Sequence, residues 1–366
     1  MLSECKYPAA MTATEAPNSK RELNRPDDAF GRRIEPFRRE LKLHCYRMLG
    51  SVHEAEDAVQ DTFLRAWRSF DRFEGRGSFR AWLYQIATNV CLNTLAARKN
   101  APRLLPNDLL PTAGTRMPDG TSVTDVPWLE PYPNSFLEGI DESANPEARY
   151  LSRESVQLAF VAVIQGLPPR QRAALLLCDV LGWSANEAAT LLGGSAASIN
   201  SILQRARETL SKRYPDGRPA ASRSPNPFEQ ELLSRYLNAW ERLDVDGLVA
   251  LLKEDATYTM PPKAQWYAGR TAIGNFFEWA WRAYESFRLV PTAANNQPAF
   301  AAYSRASSET PWTAHSIHVL TVENGAISTL TLFAKPLAQS LFSVFDLPHI
   351  IPIVTDDFPN RDQNSY

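Results

Sequence analysis

The chain has 366 residues, too many for one ordinary core, so two or three domains are expected. Hydrophobic residues make up 44% and charged residues 22%, the balance of a soluble globular protein, and no apolar run approaches the roughly 18 residues of a membrane span. The formal net charge of −2 conceals an uneven spread, because local charge rather than the total governs affinity for phosphates. Ala29–Asn100 carries 13 Lys/Arg against 8 Asp/Glu, and Tyr150–Tyr214 carries 7 against 4. Ala101–Arg149 carries 3 against 8, and Asn226–Tyr366 carries 10 against 15. Two basic modules are thus separated by an acidic linker and followed by an acidic tail.

In chain order, residues 1–29 come first. Met1–Asp28 is polar, has no apolar signal core, and is expected to be disordered. Residues 30–99 are helical by pattern. Glu35–Leu49 sets Phe37, Leu41, Cys45 and Met48 on one face, and Ala55–Phe70 does the same with Val59, Phe63, Ala66 and Phe70. Ser51 and Glu54 have the spacing of a capping box. Gly75 and Gly77 mark a loop, after which Ser78–Ala97 forms a third long helix. Phe73, Phe79, Trp82 and Tyr84 stand among Arg72, Arg76 and Arg80, offering flat faces for bases and positive charge for phosphates, as single-stranded DNA requires. Residues 100–149 hold eight prolines, from Pro102 to Pro146, and form a linker. Its Trp128, Leu129, Tyr132 and Phe136 either pack on the protein itself or dock into a partner.

Residues 150–214 are helical again. Ser184 and Glu187 form a second capping-box pattern, a short helix ends at Gly193-Gly194, and another begins at Ser195, the layout of a helix-turn-helix. Residues 215–227 are a second Pro-rich linker. From 228 to 340 the pattern is α+β. Helices are predicted at Phe228–Leu243, Val245–Leu252 and Thr271–Tyr284. Strands are predicted at Ala256–Met260, Arg288–Ala294, Ala299–Arg305, Ser316–Val322 and Ile327–Phe333, the last two joined by Asn324-Gly325. Residues 341–366 begin with the apolar run Leu341–Val354, which either seals the domain's own core or docks on the first module or the linker. Cys5, Cys45, Cys91 and Cys178 are widely spaced and form no CxxC pair, which argues against a zinc site or a disulfide framework. Cys91 and Cys178 are expected in cores, in keeping with a reducing cytoplasm. No metal and no cofactor is expected.

Ala55–Trp67 (AEDAVQDTFLRAW) with Phe79–Lys99 (FRAWLYQIATNVCLNTLAARK) resembles region 2 of bacterial sigma factors of the extracytoplasmic-function type. Leu167–Leu210, from LPPRQR to RARETL, resembles their region 4. The chain from about Phe228 onward resembles the SnoaL-like tail of one branch of that family, the SigG- and SigJ-type, with segments such as VPWLEP and MPP…WYAG also alike. The resemblance covers all but the first thirty or so residues and parts of the linker. It implies a multidomain chain: two all-α DNA-binding domains, region 2 and the helix-turn-helix region 4, plus a C-terminal α+β cone of strongly bent antiparallel sheet.

The resemblance also implies roles. Asp57, Gln60, Asp61, Phe63 and Trp67 would grip the β′ clamp of RNA polymerase, although unaided they read as an amphipathic helix with a solvated acidic edge. Arg76, Ser78, Phe79, Arg80, Trp82 and Tyr84 would melt the −10 element and hold flipped bases. Trp82 reads equally well as a core residue. Asn89, Arg98 and Lys99 would track the duplex upstream. Ser198, Asn200, Ser201, Gln204, Arg205 and Arg207 lie on the recognition helix, where side chains near its start can reach base edges, Asn200 and Gln204 foremost, and Arg205 and Arg207 can anchor phosphates; a solvated helix end is the plainer reading of Arg205 and Arg207. Asn200 and Ile202 stand where many relatives have Lys or Arg, which weakens sequence-independent affinity. In the tail, Tyr258, Met260, Trp266, Tyr267, Phe276, Phe277, Trp279, Trp281, His315 and His318 either fill the cone or line a cavity, with Asp255 or His318 as conceivable bases.

The expected protein is therefore a sigma factor without catalytic residues, acting in the cytoplasm with core RNA polymerase (β′ clamp and β flap) and promoter DNA, and not at a membrane. Its tail would modulate its activity, possible small ligands of that tail being one route, and no dedicated anti-sigma protein is expected. Two alternatives remain at this point: a ligand-sensing one-component DNA-binding regulator, and a SnoaL-like enzyme fused to DNA-binding modules.

Overall fold

The computed structural model describes residues 26–73, 78–118, 126–140, 155–213 and 226–352. Most of the N-terminal segment, the Gly75/Gly77 loop with Arg76, and most of the second Pro-rich linker lie outside these residues. A short N-terminal unit ends at Arg38 and holds helix α1 (Pro26–Ile34) and a 3-10 turn at Glu35–Phe37, so helix already begins within the stretch expected to be disordered. All that follows belongs to one large unit.

The first module is built from α2 (Arg38–Leu49), α3 (Val52–Ser69) and α4 (Phe79–Ala97). Leu41, Cys45, Met48, Val59, Phe63, Ala66, Leu83, Ala87 and Cys91 form its buried interior, which is why these helices repeat apolar residues every three or four positions. Ser78 caps α4 by accepting from the Ala81 amide at 3.0 Å. The linker adds the short α5 (Pro106–Leu109). The second module comprises α6 (Leu158–Gln165), α7 (Pro169–Leu175), α8 (Ala185–Leu192) and α9 (Ala196–Arg213).

The two modules touch directly. Arg172 of α7 is 1% exposed and reaches the Met48 carbonyl, the Gln165 side-chain oxygen at 2.7 Å, and the carbonyls of Gln165 at 2.6 Å and Leu167 at 3.2 Å. Met48 and Gln165 lie at the C-termini of α2 and α6, so one cation serves the negative ends of two helix dipoles, one in each module. Arg47 donates to the Ser155 carbonyl at 3.2 Å and Gln165 to that of Arg47 at 3.0 Å. Replacing Arg172 by Met keeps the length and leaves those acceptors without their donor. We expect a loss of roughly 3 kcal/mol or more in a urea melt, since each orphaned buried polar group costs about 1–3 kcal/mol. A change below about 1 kcal/mol would show that these contacts do not hold the modules together.

The C-terminal domain starts with α10 (Pro227–Glu241) and α11 (Val245–Val249), then β1 (Leu252–Thr259), β2 (Trp266–Ala268) and α12 (Arg270–Ala280). It continues through β3 (Ser286–Ala294), β4 (Gln297–Arg305), β5 (Trp312–Glu323), β6 (Ala326–Ala334), α13 (Leu337–Val344) and β7 (Ile350–Ile351). The sheet order is β2-β1-β6-β5-β4-β3, with β7 added on β5. It is mixed rather than antiparallel, because β1 runs parallel to β6. β5 and β6 turn at Asn324-Gly325, whose φ values of 54° and 76° are those of a tight two-residue hairpin turn. Trp240 sits at the centre of the core, with ring centroids of Phe277, Trp281 and Phe287 all within 5.4 Å. The apolar C-terminal run belongs to this same domain: Leu341 and Phe342 are buried, Phe342 packs on Tyr303 at 5.2 Å, and Ile351 pairs with Trp312. It seals its own sheet.

Candidate nucleic-acid interface

Helix α3 begins at Ser51, whose hydroxyl accepts from the Glu54 amide at 3.1 Å. The expected capping box is only half made. Glu54 turns its carboxylate to Arg98 at 2.8 Å and Arg103 at 2.9 Å. Its place is taken by Glu130 of the linker, which accepts from the Val52 amide, the Ser51 hydroxyl and His53 Nδ1, each at 2.9 Å. A carboxylate at a helix N-terminus is favoured by the dipole. Burial works to raise the Glu130 carboxyl, but His53, Arg103 and Ser51 outweigh it and hold it below the usual range. The hydrogen bond to Glu130 in turn raises His53 above 6.5. The His53–Glu130 attraction is therefore fully present below about pH 6.5 and disappears as pH rises through the raised value. Because the His53 side chain is 42% exposed, the expected effect is small. A proton NMR titration should place His53 above 6.5 in the native chain and lower it in Glu130→Gln.

Along α3, Asp57 and Gln60 are exposed, and Asp61 is half-exposed and pairs with Arg65 at 2.8 Å. Trp67 is 51% exposed and Leu64 54%. Phe63, expected on this face, is buried in the module's core instead. Leu64 was missed by sequence reasoning, although counting back from Trp67 in helical steps of three and four leads to Leu64 and then Gln60.

The aromatic patch is real but smaller than expected. Arg76 lies outside the described residues. Phe79 packs against Phe70, Phe73 and Trp82, with centroids 6.3, 5.6 and 5.5 Å apart, and Phe73 lies 4.9 Å from Trp82. Phe79 and Trp82 are both half-buried, so this cluster keeps open ring surface. Ser78 is engaged in capping α4. Tyr84 is buried and cannot offer its face to a base: its hydroxyl donates to Glu40 at 3.1 Å, and Trp183 of the second module lies 6.2 Å away. Arg80 is clamped by the same Glu40 at 2.6 Å. Asn89 and Lys99 are exposed, whereas Arg98 is drawn in by Glu54 and the Leu49 carbonyl at 3.1 Å.

In the second module the Ser184/Glu187 capping box is complete in both directions, at 3.2 and 2.8 Å. Gly194 turns the chain with φ of +127°, and a Cβ there would meet the Ser198 hydroxyl at 2.8 Å. Arg170, which no sequence pattern singles out, holds the end of α8 by donating to the Leu192 and Gly193 carbonyls at 2.6 and 2.9 Å. On α9, Ile199, Leu203, Ala206 and Leu210 face inward. Asn200, Ser201, Gln204 and Arg205 form the exposed strip. Ser198, also exposed, bonds back to Ser195 at 2.7 Å, and Arg207 is held by Asp179 at 3.0 and 2.7 Å, so neither side chain extends freely.

Of the two conceivable bases in the C-terminal domain, one is exposed and the other is sealed in the core. Asp255 is on the surface. His318 is fully buried, bonded to Tyr236 at 2.9 Å and Ser316 at 2.8 Å, and burial keeps its pKa well below 6.5. Burial, with Lys335, lowers His315 to about 4. Tyr258, Met260, Tyr267, Phe276, Phe277 and Trp281 are packed into the core, whereas Trp279 is exposed. Trp266 and the hydroxyl of the buried Tyr267 hold the linker: their side chains donate to the Leu110 and Arg116 carbonyls at 2.6 and 2.9 Å, and the Ala113 amide donates to the Trp266 carbonyl at 2.9 Å. The linker thereby covers the edge strand β2. Trp128, Leu129 and Tyr132 of the linker are likewise buried against the protein itself. Among the described residues no helix is long and apolar enough to cross a membrane, and no group of three or more His, Cys, Asp or Glu is placed to hold a metal ion.

Comparison with known proteins gives three family matches: sigma-70 region 2 over residues 34–101, sigma-70 region 4 over residues 157–210, and a SnoaL-like domain over residues 233–330. The chain is 43% identical, over 87% of its own length and 84% of the relative's, to the ECF RNA polymerase sigma factor SigG of Mycobacterium tuberculosis. It is 30% identical to the ECF RNA polymerase sigma factor SigJ of the same organism over 62% of this chain and 63% of that one. The crystal structure of Mycobacterium tuberculosis SigJ shares the fold, with a TM-score of 0.55 at 23% identity over 87% of this chain and 99% of that one.

Proposed function

The chain belongs to the ECF RNA polymerase sigma factors, and from this membership we propose how its parts divide the work. It is a transcription initiation factor, not an enzyme, and it binds core RNA polymerase and promoter DNA. The exposed α3 strip of Asp57, Gln60, Asp61, Leu64 and Trp67 seats on the β′ clamp. The Phe73–Phe79–Trp82 cluster receives unstacked −10 bases. Asn200, Ser201, Gln204 and Arg205 meet the −35 duplex, with the second module on the β flap. This work takes place in the cytoplasm. No anti-sigma protein is required, because the C-terminal domain itself restrains the chain.

One observation carries the regulatory part. Tyr84 of the first module lies under Trp183 of the second, and Arg172 ties the two together. Sites 25 base pairs apart are separated by roughly 85 Å at about 3.4 Å per step. Modules in contact cannot reach both the −10 and −35 elements, so this conformation is a closed form that opens on polymerase. Transcription from selected promoters by core polymerase tests the proposal. The full chain should support initiation, and deletion of residues 226–366 should change its level while leaving promoter choice intact. No promoter-specific transcript from either form would defeat it.

A further inference from the structure

The tip of the β3–β4 hairpin is Asn295-Asn296, with φ of 57° and 54° and Ala294 paired to Gln297. Hairpin tips ordinarily stand in solvent. Asn295 is 0% exposed. Its amide nitrogen donates to the Tyr46 hydroxyl at 2.9 Å and to the Val156 carbonyl at 2.7 Å, and its amide oxygen accepts from the Tyr132 backbone at 2.8 Å. Its own backbone amide donates to the Tyr132 carbonyl at 2.8 Å. Both donors of the side chain and its acceptor are thus engaged, each with a different part of the chain: α2 of the first module, the linker, and the lead-in to the second module.

The next two residues extend the same joint. The Asn296 amide donates to Asn134 of the linker at 2.9 Å. Gln297 accepts from the Leu158 amide at 2.9 Å, and Leu158 opens α6, whose preceding residue Gln157 provides no side-chain cap. A C-terminal hairpin therefore completes a helix start in the second module. Around the joint, the rings of Tyr46 and Tyr132 pack at a tilt with centroids 4.6 Å apart, and Tyr46 donates to the Glu130 carbonyl at 2.8 Å, the residue that caps α3. At its other end the hairpin runs into the C-terminal core, where Phe300 of β4 pairs with His318 and packs on Tyr236 at 5.2 Å.

We infer that Asn295 is an intramolecular key: seated between Tyr46, Tyr132 and Val156, it locks both DNA-binding modules and the linker in the closed form, and its withdrawal is the step by which the C-terminal domain releases the chain to polymerase. The inference rests on the closed form proposed above and assigns its control to one side chain. A change in the core around Tyr236 and His318 would be transmitted along β4 to this tip, because paired strands move as a unit.

The test is Asn295→Gly in the full chain. Glycine keeps the positive φ and removes the whole side chain, amide included, so the turn itself is retained. Asn295→Asp provides a second variant of the same shape that replaces both donors by an acceptor facing the Val156 carbonyl. Three typical hydrogen bonds together set an expected shift of the closed–open balance on the order of tenfold to a thousandfold. Trypsin cleavage after Arg103 or Arg116 in the linker should accelerate by about that factor, with near-ultraviolet circular dichroism of the C-terminal domain unchanged. Apparent affinity for core polymerase should rise as the open fraction rises. Both variants cleaved and bound like the parent chain would overturn the inference. Accelerated cleavage with no polymerase binding by any form, parent included, would instead defeat the roles proposed above while leaving the key in place.

Discussion

Asp61→Arg combined with Trp67→Ala is expected to reduce binding to core polymerase by a hundredfold or more without unfolding the chain. Trp67 is the large exposed ring of the α3 face, and buried aromatic anchors at interfaces contribute about 2–4 kcal/mol on truncation. Asp61 already pairs with Arg65, so an arginine there loses that pair and places like charges one turn apart. Such a surface pair is worth only about 0.3–0.5 kcal/mol to a helix, which leaves the fold secure. Competition binding against a labelled sigma factor, run beside a thermal melt, separates the two effects. Undiminished affinity in the folded double variant would remove α3 from the polymerase interface.

Phe79→Ala is expected to leave closed-complex formation intact and to slow promoter opening by roughly tenfold or more, since stacking is worth about 1–3 kcal/mol per base. The cluster of Phe70, Phe73, Phe79 and Trp82 makes this site different from the rest of the module's aromatics. Its rings stay half-buried, whereas Tyr84, one and a half turns along α4, is sealed by Glu40 and Trp183. Tyr84→Phe should accordingly affect the contact between modules more than strand opening. Permanganate reactivity of −10 thymines reads opening directly. Normal opening by Phe79→Ala with weakened duplex binding would place the bases elsewhere.

Local chemistry was legible in the sequence. The Ser184/Glu187 box, the Gly193-Gly194 break and the Asn324-Gly325 hairpin all depend on residues within a few positions of one another, and spacing reveals them. What remained hidden is what depends on distant partners. Ser51 and Glu54 have the same spacing as Ser184 and Glu187, yet Glu130, 76 residues beyond Glu54, supplies the carboxylate. The parallel pairing of β1 with β6 cannot be read from either strand alone. β2 is three residues long and shows no period, and Asn295-Asn296 lacks the glycine that marks the usual tight hairpin. Arg80, Arg98 and Arg207 count as free positive charge in a sequence, but Glu40, Glu54 and Asp179 pair with them in the folded chain. The linker aromatics left two readings open, and burial of Trp128 and Tyr132 places them on the protein itself.

The central claim is that one chain carries both promoter-reading modules and passes from a closed to an open arrangement on polymerase. The most direct measurement is the distance between dyes at positions 68 and 212, on α3 and α9, in the free chain and in its complex with core polymerase and promoter DNA. The account predicts strong energy transfer in the free chain and its near-complete loss in the complex, as the modules move toward elements roughly 85 Å apart. Energy transfer that stays high in a complex actively initiating transcription would contradict it.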